Sequence, residues 1–150
     1  MIALIQRVTH ARVEVDNAVV AEIGRGVLVL IGVEAGDRAP QADRLLERVL
    51  GYRVFPDGEG RMNRSLREIG GGLLLVPQFT LAADTRKGAR PSFSSAAPPE
   101  TGQALFEHLA ARARACHPLV ACGRFAAEMK VTLTNDGPVT FWLRAIPGDA

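Results

Sequence analysis

Hydrophobic and polar positions divide this chain into short apolar runs and two helical stretches. Ile2 to Val8 is apolar apart from Gln6-Arg7, and Arg12-Val13-Glu14-Val15-Asp16 alternates with period two, as a half-buried strand does. Asp16-Asn17 signals a turn, and Val19 to Ile23 reads as the hairpin partner. Val27 to Val33 is a continuous run rich in β-branched residues, which predicts a central strand buried on both faces. Between Asp37 and Leu50, Ala42, Leu45, Leu46, Val49 and Leu50 fall at helical spacing among charged residues. Asp37 is the predicted N-cap, Pro40 sits in the first turn, and Gly51 stops the helix.

Tyr52 to Phe55 reads as a short strand and 56–60 as a turn. Gly70-Gly71-Gly72 breaks the chain before a second buried strand, Leu73 to Val76, which runs into Pro77-Gln78-Phe79-Thr80-Leu81. Residues 82–99 have no period, and a loop of that length is usually functional or mobile. Pro98-Pro99-Glu100 opens a second helix that ends near Cys116, with Leu105, Phe106, Leu109, Ala113 and Cys116 on its buried side. Leu119 to Cys122, Lys130 to Thr134 and Val139 to Ala145 read as strands, the last two joined by a turn at Asn135-Asp136-Gly137-Pro138. This order predicts a single α/β domain over 1–150, a mixed β-sheet with additional antiparallel hairpins and two main helices on one face. The final strands are terminal and apolar, which predicts an exposed edge and a dimer.

Composition narrows the class. The 150 residues suffice for one core, 47% are hydrophobic, and aromatics make up only 5%, so the core is built of Val, Leu, Ile and Ala. A net charge of +2 does not by itself call for a nucleic-acid partner, and no DNA partner is expected. Cys116 and Cys122 form no CxxC pair and are expected as free thiols in a reducing cytoplasm. Met1 to Arg7 turns polar too soon for a signal peptide, and no run approaches the ~20 apolar residues of a membrane span, so a cytoplasmic location without a membrane partner is expected.

The usual catalytic sets are missing. His10, His108 and His117 have no companion at metal-ligand spacing and read as surface or capping residues, so neither metal nor cofactor is expected. No GxSxG elbow, Walker A or GxGxxG occurs. Two segments need explaining. Pro77 to Leu81 ends a buried strand in a proline and two polar side chains flanking an aromatic; taken alone it reads as a strand end with a satisfied Gln and a capping Thr. Asn135 to Thr140, taken alone, reads as a plain hairpin turn whose X-Pro bond costs only ~0.5–1 kcal/mol to hold cis.

Together these segments resemble the SQFTL and NxGPVT signatures of the D-aminoacyl-tRNA deacylase family. Ile5 to Val8, Ile23 to Val33, Met62 to Ser65, Ala83 to Gly88, Arg90 to Phe93, Ala96 to Pro99 and Gly123 to Met129 match in the same order, so the resemblance covers nearly the whole chain. It implies a three-layer fold and a homodimer with two active sites at the subunit interface. The implied substrates are D-aminoacyl-tRNA and glycyl-tRNA, including glycine mischarged on an alanine tRNA. By similarity Gln78, Phe79 and Thr80 are catalytic, and a cis Gly137-Pro138 peptide reaches the partner's pocket to reject L-amino acids. Phe125 and Met129 would wall the pocket, Arg7 would brace the dipeptide, and the tRNA's own 2′-hydroxyl would assist cleavage. Arg86, Lys87 and Arg90 read either as a solvated basic loop or as contacts to the tRNA acceptor end. The family's Ser is Pro77 here, which has neither hydroxyl nor amide hydrogen. That departure keeps open a weakly active or inactive acceptor-end binding module. A simple esterase or peptidase is disfavoured by the lack of a triad or metal set.

Overall fold

The structure is a computed structural model that describes residues 1–148. Its six-stranded mixed sheet is organised by one strand. β1 (Ile2–Val15) pairs antiparallel with β3 (Gly26–Gly32) through Ile2–Val8 and with β2 (Ala18–Ile23) through Ala11–Val15. Along its other edge β1 pairs antiparallel with both halves of β8 (Lys130–Arg144), Lys130–Asn135 and Thr140–Arg144. β6 (Gly72–Pro77) and β7 (Val120–Cys122) continue the sheet from β3 as parallel strands. β4 (Arg53–Pro56) and β5 (Met62–Ser65) form a separate hairpin. The Asp16-Asn17 turn is present, with φ of 50° and 63°, the conformation that two-residue hairpins require.

Alternating residues of the central strands feed two cores. Val27, Val29, Ile31, Leu73 and Leu75 face α1 (Ala39–Gly51) and α3 (Pro99–Cys116), where Leu45, Val49, Leu50, Phe106 and Leu109 are buried. Leu28, Leu74 and Val76 face the opposite way and meet Val8, Val13, Ala21 and Ile23, because the far halves of β1, β2 and β8 fold back across the sheet. Both faces of β3 and β6 are therefore dry, which is why their sequences are unbroken apolar runs. Each such Leu or Val stabilises the fold by about 1.5–3 kcal/mol relative to exposure. Helices, central sheet and folded-back strands make three layers.

Several expectations need correction. Gln6-Arg7 does not break β1, and His10 lies within that strand rather than between strands. The N-cap of α1 is Arg38. Asp37 is buried instead: its carboxylate accepts from the Met1 ammonium at 2.9 Å and from Glu34 N at 2.7 Å, a charge pairing that outweighs its local capping preference. Phe79–Ala82 is a 3₁₀ turn and not a continuation of β6. A further short helix, α2 (Leu66–Ile69), follows β5, capped at both ends by Ser65 and Gly70. Most consequential for function, Asn135–Pro138 is no turn between two strands, because β8 is one continuous strand that bulges there. No helix among the described residues is long and apolar enough to cross a membrane.

Candidate active site

A cavity of about 450 Å³ opens where β3 and β6 end. Ile31, Val33, Val76 and Pro77 form its floor; Phe106 and Gly102 of α3 form one wall, and Phe125, Met129 and Val131 the other. Gln78 and Phe79 stand at its rim. The chain turns here because Gln78 N donates to Ile31 O at 2.7 Å, closing the parallel ladder, after which the 3₁₀ turn folds over the end of β3. Gly32 makes that close approach possible: a Cβ there would lie 2.8 Å from Leu81 Cβ. Gln78 Nε2 donates to Thr80 Oγ1, which fixes both side chains. The amides of Phe79 and Thr80 begin the turn, so no intrahelical acceptor reaches them, and both residues are exposed. Among the described residues lining the cavity, Gln78 alone has a polar side chain.

Gly137 and Pro138 are held elsewhere. Opposite β1, residues 136–139 face the single residue Arg7, so they bulge from β8. The neck of the bulge is tied by Asn135, whose Nδ2 donates to Thr140 Oγ1 at 2.8 Å and whose Oδ1 accepts from Val139 N at 2.7 Å. Arg7 secures the tip, its Nε donating to Asp136 O at 2.9 Å and its Nη1 to Val54 O at 2.7 Å. The Gly137-Pro138 bond is cis, and both residues are exposed. Of the residues singled out in the sequence, Gln78, Phe79, Phe125 and Met129 thus share one cavity, with Thr80 beside it. Arg7, Gly137 and Pro138 form a second group that does not line that cavity in the same chain. Asn135 and Thr140, read from sequence as turn residues, are the clasps of the bulge.

Arg86, Lys87 and Arg90 lie on a loop closed by paired backbone hydrogen bonds between Asp84 and Ser92, at 2.7 and 2.9 Å. Arg86 is committed within the loop: its Nε and Nη2 fork onto the Asp84 carboxylate at 2.9 and 2.8 Å. Those hydrogen bonds hold the Asp84 carboxyl down at about 2. Lys87 and Arg90 remain exposed at the tip.

Other ionisable groups serve the fold. His117 is buried and donates to Gly71 O at 2.7 Å, joining the end of α3 to the start of β6. His108 pairs with Asp43 at 2.8 Å across α1 and α3. Both cysteines are free, and burial pushes the Cys122 thiol up, which keeps it protonated and a poor nucleophile. No group of three or more His, Cys, Asp or Glu side chains suited to a metal occurs among the described residues.

Comparison with known proteins decides the family. The model of the D-Tyr-tRNA(Tyr) deacylase family matches residues 4–144. The chain belongs to this family. A D-aminoacyl-tRNA deacylase of Alkalilimnicola ehrlichii is 68% identical over 150 residues, covering 100% of both chains. One from Stutzerimonas stutzeri is 66% identical over 145 residues, 97% of this chain and 100% of the relative. A solved structure described as c-Myc DNA Unwinding Element Binding Protein superposes with a TM-score of 0.93 at 34% identity, covering 97% of this chain and 99% of that one. A probable eukaryotic D-amino acid tRNA deacylase shares the fold, with a TM-score of 0.78 at 19% identity over 95% of this chain and 97% of that one. As a D-Tyr-tRNA(Tyr) deacylase family member the chain is a hydrolase, and its α/β fold is that of the family.

Proposed function

We propose that this protein hydrolyses the ester between a D-amino acid and the terminal adenosine of tRNA, and that glycyl-tRNA, including glycine mischarged on an alanine tRNA, is cleaved as well. The observation that carries this reading is the apolar cavity rimmed by Gln78 and by the open amides of Phe79 and Thr80. Water adds to the ester carbonyl, the C–O bond to ribose breaks, and the departing ribose oxygen takes a proton. The lining offers no nucleophile or general base, so positioning and oxyanion stabilisation must supply the rate. An aminoacyl ester is already activated, and each ~1.4 kcal/mol removed from its barrier gives tenfold. Amides aimed at the developing oxyanion supply several such factors. The substrate's vicinal 2′-hydroxyl assists as the remaining polar group beside the ester. Pro77 in place of Ser is compatible with this scheme, since no hydroxyl is asked of that position.

Chirality is assigned to the backbone of Gly137 and Pro138, supplied by a second copy. Both are exposed on their own chain and tied at Asn135, Val139, Thr140 and Arg7, so their carbonyls form a stiff wedge. A rigid backbone excludes every L-side chain by steric overlap, whatever its type. Glycine has none to exclude. The homodimer this needs is supported by the outer edge of β8, which among the described residues pairs with β1 alone and carries Trp142, 55% exposed. Lys87 and Arg90, with Arg86 beside them on its Asp84 fork, are the proposed acceptor-end contacts, and the cytoplasm the proposed location.

The test is a single-turnover assay with D- and L-tyrosyl-tRNA and with D-tyrosyl-tRNA lacking the terminal 2′-hydroxyl. D-substrate is expected to be cleaved and L-substrate spared, with the 2′-deoxy substrate slowed at least about tenfold. An unchanged rate on the 2′-deoxy ester would remove the RNA-assisted step. No cleavage of the D-ester would leave an acceptor-end binding module.

A further inference from the structure

Phe79 and Phe93 are 61% and 44% exposed, and their rings touch, with centroids 5.3 Å apart. An isolated exposed apolar side chain is ordinary, but two in contact at the mouth of a site are not. Phe79 belongs to the cavity rim. Phe93 directly follows Ser92, whose backbone pairing with Asp84 closes the basic loop. One surface therefore runs from the cavity, across the aromatic pair, to the loop that carries Lys87 and Arg90.

This order matches the chemistry of a single-stranded RNA 3′ end. We propose that the Phe79–Phe93 pair is a stacking platform for the nucleotide immediately before the terminal adenosine. The proposal rests on the deacylase reading and extends it to a second nucleotide. Phenylalanine presents a π-face and no hydrogen-bonding group, so such a platform holds any base without selecting one. Stacking on an aromatic side chain is worth about five- to 150-fold in affinity per base. Lys87 and Arg90 are placed for the flanking phosphates, a contact that positions without reading sequence. Arg86 is already engaged by Asp84 and stiffens the loop that Phe93 directly follows.

The experiment measures kcat and KM on three D-tyrosyl esters: of adenosine alone, of full tRNA, and of tRNA abasic at the penultimate nucleotide. Phe93→Ala is expected to raise KM for full tRNA about tenfold with kcat nearly unchanged, and to leave the adenosine ester untouched. Phe93→Tyr should restore KM and Phe93→Leu should not. The abasic tRNA should show the raised KM with wild-type protein, and Phe93→Ala should add nothing further. An equal loss on the adenosine ester would overturn the proposal by making the ring part of the cavity wall. No loss on tRNA would overturn it too, and so would a shift in sedimentation that accounts for the loss, because the rings would then be a contact between copies. A wild type inert on every ester removes the deacylase reading and this proposal with it. A wild type that is active but indifferent to the abasic change removes only the platform.

Discussion

Arg7 illustrates how much one side chain decides. It reaches two carbonyls, Asp136 O and Val54 O, and so joins the β8 bulge to the β4–β5 hairpin. Gly137 lies against it: with φ at 139°, a Cβ there would stand 2.7 Å from Val139 Cγ2 and 3.1 Å from Arg7 Nη2. Gly137→Ala must therefore move the clamp or the clasp. The expected outcome is a folded protein, destabilised by about 1–3 kcal/mol. Its D-tyrosyl-tRNA cleavage should fall more than about tenfold. Gly58→Ala is the control, since a Cβ there meets nothing within 4 Å. Chemical denaturation and deacylation assays on both variants check this, and a folded Gly137→Ala protein with wild-type activity would count against the role given to the dipeptide. The residues alone allowed the cis bond but read the segment as a turn, and the Arg7 brace came only from the family resemblance. Asn-Asp-Gly-Pro is good local turn chemistry; pairing of both its flanks with β1, the Asn135 clasp and the distant Arg7 together make it a bulge inside a strand. Asp37 misled in the same way, a sound N-cap by composition that the distant Met1 ammonium recruits into the interior.

Elements whose two faces both matter to the core were readable from pattern. Val27–Val33 and Leu73–Val76 are apolar throughout because they are covered on both sides, and Leu45–Leu50 keep helical spacing because α1 buries one stripe. Elements set by contacts rather than by burial were not: α2 is four residues long, and β5 is mostly exposed, so neither has an apolar period to read. The cavity residues Gln78, Phe79, Phe125 and Met129 were grouped by motif resemblance, because the strand end and the 125–129 segment meet only in three dimensions. The basic loop lacks a period as well, yet it has a measurable clasp. The Asp84 carboxyl sits at about 2, below its ordinary 3.8, because Arg86 hydrogen-bonds the charged form. The pairing is therefore complete above pH 3.8 and is lost only as pH falls through about 2. A carboxyl titration followed by NMR should find a midpoint near 2, moving toward 3.8 in Arg86→Ala. A wild-type midpoint near 3.8 would mean that the fork does not persist in solution.

At the scale of the whole molecule, the two halves of the proposed site lie apart on one chain, and this separation can be tested directly. The cavity side comes from β3, β6, α3 and the 125–129 segment, and the dipeptide side from the bulge of β8. In a symmetric dimer each cavity would meet the other chain's bulge. Gly137→Ala spoils the bulge and leaves its own cavity intact; Gln78→Ala does the reverse. Each variant alone should be nearly inactive. Mixed and reassembled, about half of the dimers should contain one chain of each kind, each with one wholly intact site, so that activity returns to about a quarter of wild type per chain. If the dipeptide served its own chain's cavity, every chain in the mixture would still carry a broken site and mixing would restore nothing. Recovery that depends on prior dissociation and reassembly, with sedimentation at twice the chain mass, would establish both the dimer and the sharing. Absence of recovery in dimers shown to be mixed would send the chirality filter back to a single chain, where the separation of Gly137 and Pro138 from the cavity would require the bulge to move.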